Sequence, residues 1–344
     1  MCNYAERSSQ GGALRRAGGL ALLLAALWSA SAWACQRQGN VRPVPPGLDQ
    51  ARQAGAVTLY FSDADIRRAP HADDRDGDGQ ADKIQDMAVQ LQAAATLYNH
   101  FFQTSGVAAF PRYRDVVAIQ AFVLAKQKYN GEAFSEPYFD PGARGCVLRF
   151  HVSAALQPRN LTPAHELFHL YHYAHTPIQR AWLREGTARW AEAAFRKGVG
   201  AAQPLPATSE ALLAVTRESY RAGLMWNRLA ALLDPAGRFE IPAAAARLRY
   251  VDGTPVIPDD RLHGVAFMRD LFRALRAESE RIGRERGRSP SEWTRAQRHD
   301  AALDAVIWSV VQRVAGEHAA RAPASEELRR FLQLKLQPAP AEKR

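Results

Sequence analysis

His165 and His169 stand four residues apart, with Glu166 directly after the first, in Asn160-Leu161-Thr162-Pro163-Ala164-His165-Glu166-Leu167-Phe168-His169. On an α-helix that spacing puts both imidazoles on one face, one turn apart. Two neutral imidazoles so placed can bind zinc, and a third protein ligand would leave the fourth tetrahedral position for water. Zinc lowers the pKa of that water to about 7, and Glu166 is placed to take its proton and return it to a leaving group. The chemistry expected is metal-assisted hydrolysis. The local sequence also favours a helix here: Thr162 is a good N-cap and Pro163 suits the first helical position. The motif is short and chance matches occur, so the residues around it decide its weight.

Two residues compete to complete the donor set. Glu185 follows in Ala181-Trp182-Leu183-Arg184-Glu185-Gly186-Thr187-Ala188-Arg189-Trp190-Ala191-Glu192. Thr176-Pro177 would end the first helix and let the second fold back on it, bringing this carboxylate to the metal. Gly186 would permit close helix approach. His175 is the alternative, because His165, His169 and His175 have the spacing of the metzincin signature. That signature has Gly where this chain has His172, and on a straight helix His175 would lie about 15 Å along the axis from His165. Glu185 is therefore favoured, which leaves His172 and His175 as helix-surface or cleft-lining residues. Glu192 could accept a hydrogen bond from a ligand imidazole. An oxyanion needs a further donor. His263 is the first choice, with Tyr220 and Tyr250 as alternatives.

A second group of oxygen donors lies earlier. Asp74, Asp76, Asp78 and Asp82 occupy positions 1, 3, 5 and 9 of an EF-hand-like calcium loop, with Gly79 at position 6. Position 12 is Gln85, with Asp86 adjacent, so a Ca2+ site here would be atypical. The competing reading is an acidic surface turn.

The elements that must position these groups follow from composition and pattern. Hydrophobic residues make up 47% of the 344, enough for a sizeable core. Strands are expected over 57–61, 116–124 and 146–152, and helices over 83–104, 162–175, 179–197, 208–233, 264–286, 301–318 and 324–335. The fold class is α+β, with a small N-terminal sheet, long helices and a mostly helical C-terminal half. Residues 35–56, rich in Pro and Gly, read as a linker. Residues 57–340 form one catalytic domain, with a cleft between about 57–175 and 176–340.

Arg15 and Arg16 precede an apolar run from Leu20 to Trp28, and Ala32-Trp33-Ala34 gives the small-x-small pattern of a signal-peptidase site. Residues 1–34 are therefore expected to be a signal peptide, and the protein exported to the periplasm or secreted. The run is short of the roughly 20 residues of a transmembrane helix, and no other span is apparent. Cys35 follows the cleavage site. It is either the lipidated first residue of an outer-membrane lipoprotein or simply the first mature residue, and an exported Cys35 and Cys146 could pair in a disulfide. The net charge of +10 falls to about +8 without the leader, a modest excess that gives no signature of nucleic-acid binding.

These features together resemble a group of bacterial exported zinc metalloproteases of gluzincin type. Its members have an early strand, an Asp/Asn-Gly loop opening a long helix, His-Glu-x-x-His, and then Trp-x-x-Glu-Gly-x-Ala-x-Trp, matched here by Trp182 to Trp190. The resemblance covers roughly residues 57–195, and more loosely the helix from 264. It departs at Gln85 and at the histidine-rich end of the zinc helix. It implies a zincin-like fold, a third zinc ligand at Glu185 and a peptide or protein substrate. By the same analogy, the strand at 146–152 would run beside the cleft and pair with an extended substrate. A catalytically inactive surface or binding protein of the same fold, and a hydrolase of non-peptide amides, are the competing expectations.

Overall fold

The structure is a computed structural model that describes residues 35, 40–197, 203–321 and 324–336. The signal peptide expected over 1–34 lies outside the described residues.

Val57, Leu59 and Phe61 are buried while Thr58 and Tyr60 between them are not, the alternation of a strand with one face on the core. This strand, β2 (Val57–Phe61), forms an antiparallel hairpin with β1 (Gln50–Ala54). The expected linker over 35–56 thus contains an edge strand. Its polar residues, Gln50, Arg52 and Gln53, carry no apolar alternation that would reveal it. Four further strands complete the sheet: β3 (Val116–Leu124), β4 (Gly131–Ala133), β5 (Tyr138–Asp140) and β6 (Gly145–Ser153). The order is β1-β2-β3-β6-β4, with β5 also paired to β6. Strands β2, β3 and β6 are parallel, whereas β1, β4 and β5 are antiparallel to their neighbours. Strand β6 is therefore interior, with β3 on one side and β4 and β5 on the other. The expectation that it offers an edge to substrate is corrected: at the 150–152 end β4 already occupies that edge.

The helices are α1 (Asp63–Arg68), α2 (Asp82–Phe102), α3 (Thr162–His175), α4 (Ala181–Glu192), α5 (Ser209–Thr216), α6 (Gly223–Leu233), α7 (Ala243–Ala246), α8 (Val265–Glu285), α9 (Arg295–Arg298), α10 (Leu303–Ala319) and α11 (Glu326–Leu332). The single helix expected over 208–233 is two, broken at Ser219, whose φ of −112° and ψ of −108° are not helical. The architecture is α+β, with the strands in the first half and helices dominating the second.

Helix α3 is enclosed by its neighbours, and Pro163 through His175 are all buried. A buried helix start must still satisfy its free N–H groups. Asn160 Oδ1 accepts from Thr162 N at 2.9 Å, and Gln90 Oε1 of α2 accepts from Ala164 N at 3.2 Å. Pro163 between them has no N–H to satisfy. Thr162 is thus the first helical residue rather than the cap, and the cap side chains are Asn160 and Gln90. Tyr98 on α2 donates to Ala164 O at 3.1 Å, and Tyr171 on α3 donates to Asn99 Oδ1 at 2.6 Å. These bonds lock the two helices in register.

Cys35 and Cys146 form a disulfide across 111 residues. Next to it the arm pairs with β5: Arg42 N donates to Phe139 O and Phe139 N to Asn40 O, both at 2.9 Å. The bridge uses the sulfur that a lipid thioether at Cys35 would need. Among the described residues no helix is long and apolar enough to cross a membrane.

Candidate metal centre and its cleft

The turn of 3.6 residues brings His165 and His169 onto one face of α3, and their ring centroids lie 4.6 Å apart. Helix α4 folds back across that face after the break at Thr176. Glu185 Oε2 stands 3.0 Å from His165 Nε2 and 3.3 Å from His169 Nε2. Glu166 joins the cluster: it, His165 and His169 each offer a donor atom within 4.8 Å of the others. The other Glu185 oxygen, Oε1, accepts from Arg184 Nε at 2.8 Å and lies 2.7 Å from Arg184 Nη2. Arg184 thereby fixes the carboxylate with Oε2 turned to the imidazoles.

Behind this layer, Glu192 Oε1 is 2.7 Å from His165 Nδ1. Glu192 Oε2 is 2.6 Å from Arg189 Nη1 and 3.4 Å from Arg196 Nη2. His169 Nδ1, by contrast, is buried with no hydrogen-bond partner among the described residues. Its ring is held by packing instead, stacked on Tyr173 at 5.9 Å.

Why α4 can sit here is a matter of packing. Trp182 stacks on Trp226 of α6 at 5.6 Å, and Trp226 Nε1 donates to Trp182 O at 2.8 Å. A Cβ at Gly186 would lie 2.4 Å from Trp226 Cδ1. The close approach that Gly186 permits is therefore with α6.

Burial governs the electrostatics. It pushes the Glu166 carboxyl up to about 8, against the counter-effect of His165. Burial alone would lower His165, but hydrogen bonds to Glu185 and Glu192 outweigh it and raise the imidazole to about 9. His169, fully enclosed, is lowered by burial to about 4. For Glu185 burial acts upward, but His169, His165 and Arg184 together hold it well below the usual carboxylate range.

The cluster forms the floor of a cleft of about 820 Å³. One wall is the loop from Lys128 to Asn130 followed by β4, and the other carries Arg184, Arg189, Arg196 and Tyr220. Strand β4 passes very close: a Cβ at Gly131 would fall 2.5 Å from Glu166 Oε1. Only glycine leaves room for the Glu166 side chain. This wall, together with Arg184 and Tyr173, was not legible in the sequence. Three residues are too few to show a strand period, and Arg184 is one more charge on an amphipathic helix. The one available signal was the adjacency of Arg184 to Glu185.

Other expected residues fall elsewhere. His175 is not at the cluster. Its Nδ1 is 2.9 Å from Tyr171 O, and its ring packs against Phe110 at 4.3 Å and Phe102 at 4.6 Å. His172 Nε2 donates to Ile178 O at 2.7 Å and helps close the turn into α4. Both rings are buried core groups rather than surface residues. His263 does not line the cleft. Its Nδ1 is 2.7 Å from Asp234 O, and its carbonyl accepts from Trp190 Nε1 at 2.8 Å, so it clasps a loop. Tyr250 is likewise absent from the cleft wall, its hydroxyl accepting from Gln90 Nε2 at 3.1 Å. Tyr220 is in the cleft, 58% exposed, with its ring 5.6 Å from that of His165.

In the acidic loop Asp74, Asp76 and Asp78 gather into an exposed group that could hold a cation. Asp82 does not join them; it accepts from Arg75 N at 2.9 Å and pairs with Arg75 Nε at 2.5 Å. Gln85 donates to Asp76 at 3.1 Å, and Asp86 is turned away to accept from Val251 N at 2.9 Å. The loop thus presents three of the four expected carboxylates, and Asp86 is no substitute ligand.

No protein-family model, no curated protein and no solved structure matches this chain. Its functional reading therefore stands on the site itself.

Proposed function

We propose that this protein is an exported zinc metallopeptidase with a zincin-like fold. The observation that carries the reading is the convergence of His165 Nε2, His169 Nε2 and Glu185 Oε2 on one point, with the Glu166 carboxylate beside it. The donor set fits zinc, which takes imidazole nitrogen and carboxylate oxygen from three residues in catalytic sites. When bound, the ion supplies a Lewis acid and lowers the pKa of water. The chain's own residues do the rest. Glu166, raised to about 8 by burial, can take up and release a proton near neutral pH. Glu192 holds the Nδ1 proton of His165, which leaves Nε2 free to face the metal. Tyr220 is the cleft residue whose hydroxyl can reach an oxyanion, replacing His263 in that role. Peptide substrate suits an open cleft walled on one side by a short edge strand. The Cys35–Cys146 disulfide supports export, since such bridges persist in oxidising compartments.

The test is the mature chain beside Glu166→Gln. Wild type should hold one zinc and hydrolyse peptides in a chelator-sensitive manner. The variant should keep the zinc and lose at least about 100-fold in kcat. A chain that binds no zinc, or a variant with undiminished activity, overturns the reading.

A further inference from the structure

Arg189 and Arg196 stand on the cleft wall directly behind His165. Their side chains are 40% and 48% exposed. Each guanidinium offers five N–H donors. Among the described residues the only acceptor for either side chain is Glu192 Oε2, at 2.6 Å from Arg189 and 3.4 Å from Arg196. The other Glu192 oxygen is committed to His165. One carboxylate therefore faces two guanidinium groups, which leaves a surplus positive charge and most of their donors open to the cleft. Arg189 is held in place: a Cβ at Gly223 would lie 2.6 Å from Arg189 Cβ, so α6 packs closely on its stem. Glu132, the acidic group of the facing wall, has no ion pair with either arginine among the described residues. Lys128 and Arg295 also line the cleft and have no carboxylate partner among the described residues.

We propose that Arg189 and Arg196 form an anion subsite, and that the substrates are peptides with a carboxylate close to the scissile bond. The proposal deepens the peptidase reading above and rests on it. A planar guanidinium fork matches a carboxylate in geometry as well as charge. Only Glu192 and the His165 ring separate the pair from the metal centre, so the anion would lie within a residue or two of the reacting bond. The carboxylate can come from an acidic side chain or from a C-terminus; the two share this chemistry.

The test uses matched peptides: an all-Gln amide, the same sequence as a free acid, and a set of amides in which one Glu is walked along the chain. Affinities are measured by titration calorimetry on zinc-loaded Glu166→Gln protein, which keeps the cleft. At least one acidic member should bind about tenfold more tightly than the neutral amide, with the gap narrowing as salt rises. Preference for the free acid identifies a C-terminal carboxylate, and preference within the Glu walk identifies a side chain. Adding Arg196→Gln should reduce the gap below about threefold while thermal unfolding and zinc content stay as before. Equal affinities across the whole set, or a preference that survives Arg189→Gln and Arg196→Gln together, overturn the proposal. Cleavage of the same peptides by wild type is scored separately. Its absence sinks the peptidase reading, while the affinities still decide the subsite.

Discussion

Glu192 and His165 come from different helices and meet at 2.7 Å, carboxylate oxygen to Nδ1. The contact turns Nδ1 to Glu192 and Nε2 to Glu185, and in the neutral ring it favours the proton on Nδ1. Outer partners of this kind are worth about 10–100-fold in metal affinity. Glu192→Ala should therefore weaken zinc binding by about that factor, measured by competition with a chromogenic chelator. Glu192→Gln, which can still accept a hydrogen bond, should fall between. An alanine variant with wild-type affinity would show that the contact does not orient the ring.

Glu185 and His175 make opposite forecasts for metal content. Glu185 touches both imidazoles, whereas His175 packs between Phe102 and Phe110. Glu185→Ala should lose its zinc on dialysis. His175→Phe, which suits the aromatic surroundings, should keep a full equivalent by atomic absorption. Zinc loss in the second variant and not in the first would move the third ligand to His175.

Gly131→Ala probes the fit between β4 and the acid. The added methyl would fall 2.5 Å from both Glu166 Oε1 and Thr162 Cγ2. It would press on Glu166 and Thr162 without meeting His165, His169 or Glu185. The expected result is a kcat lower by at least about tenfold with zinc affinity and circular dichroism unchanged, since small displacements of a catalytic group are costly. Undiminished kcat would mean that the strand yields freely.

Three histidines, His172 and His175 buried and His151 half-buried, set an acid limit on stability. Burial lowers His151 and His175 to about 4 and His172 to about 3. Unfolded, each titrates near 6.5. Above that value both states are neutral and the stability contribution is complete. As pH falls from about 6.5 towards 4 the unfolded chain takes up protons that the folded chain refuses, so stability declines. Urea midpoints measured from pH 7 to 4 should fall steadily. In His175→Phe the decline should be shallower by at most about 1.4 kcal/mol per pH unit, one proton's worth. An identical slope in the variant would remove His175 from the account.

The sequence was most legible where periodicity and chemistry coincide. His165, Glu166 and His169 needed only a helical turn, and Glu185 needed only a break at Thr176-Pro177, so the structure places these four together. Strands β2, β3 and β6 were visible as β-rich apolar runs. What escaped depends on contacts remote in sequence. Gln90 supplies a cap to a helix start 74 residues away, and no local pattern encodes that. His263 was a sensible donor by type, yet its loop is drawn to Asp234 and away from the cleft. Strand β4 exists because β6 offers it an edge, not because three residues have any propensity of their own.

The disulfide divides the molecule in a way the fold does not. Joining positions 35 and 146 makes a covalent ring that contains every strand but β6, including the cleft wall at Gly131. His165, Glu166, His169 and Glu185 all lie outside it. In the chain-entropy model a loop of that length is worth about 5 kcal/mol, drawn from the freedom of the unfolded state. A reductant would therefore lower the stability of the fold as a whole while leaving each residue of the cleft floor chemically intact. The candidate metal-binding residues and the strands that wall the cleft belong to separate stretches of the chain, and only the second is closed into a ring by the bridge.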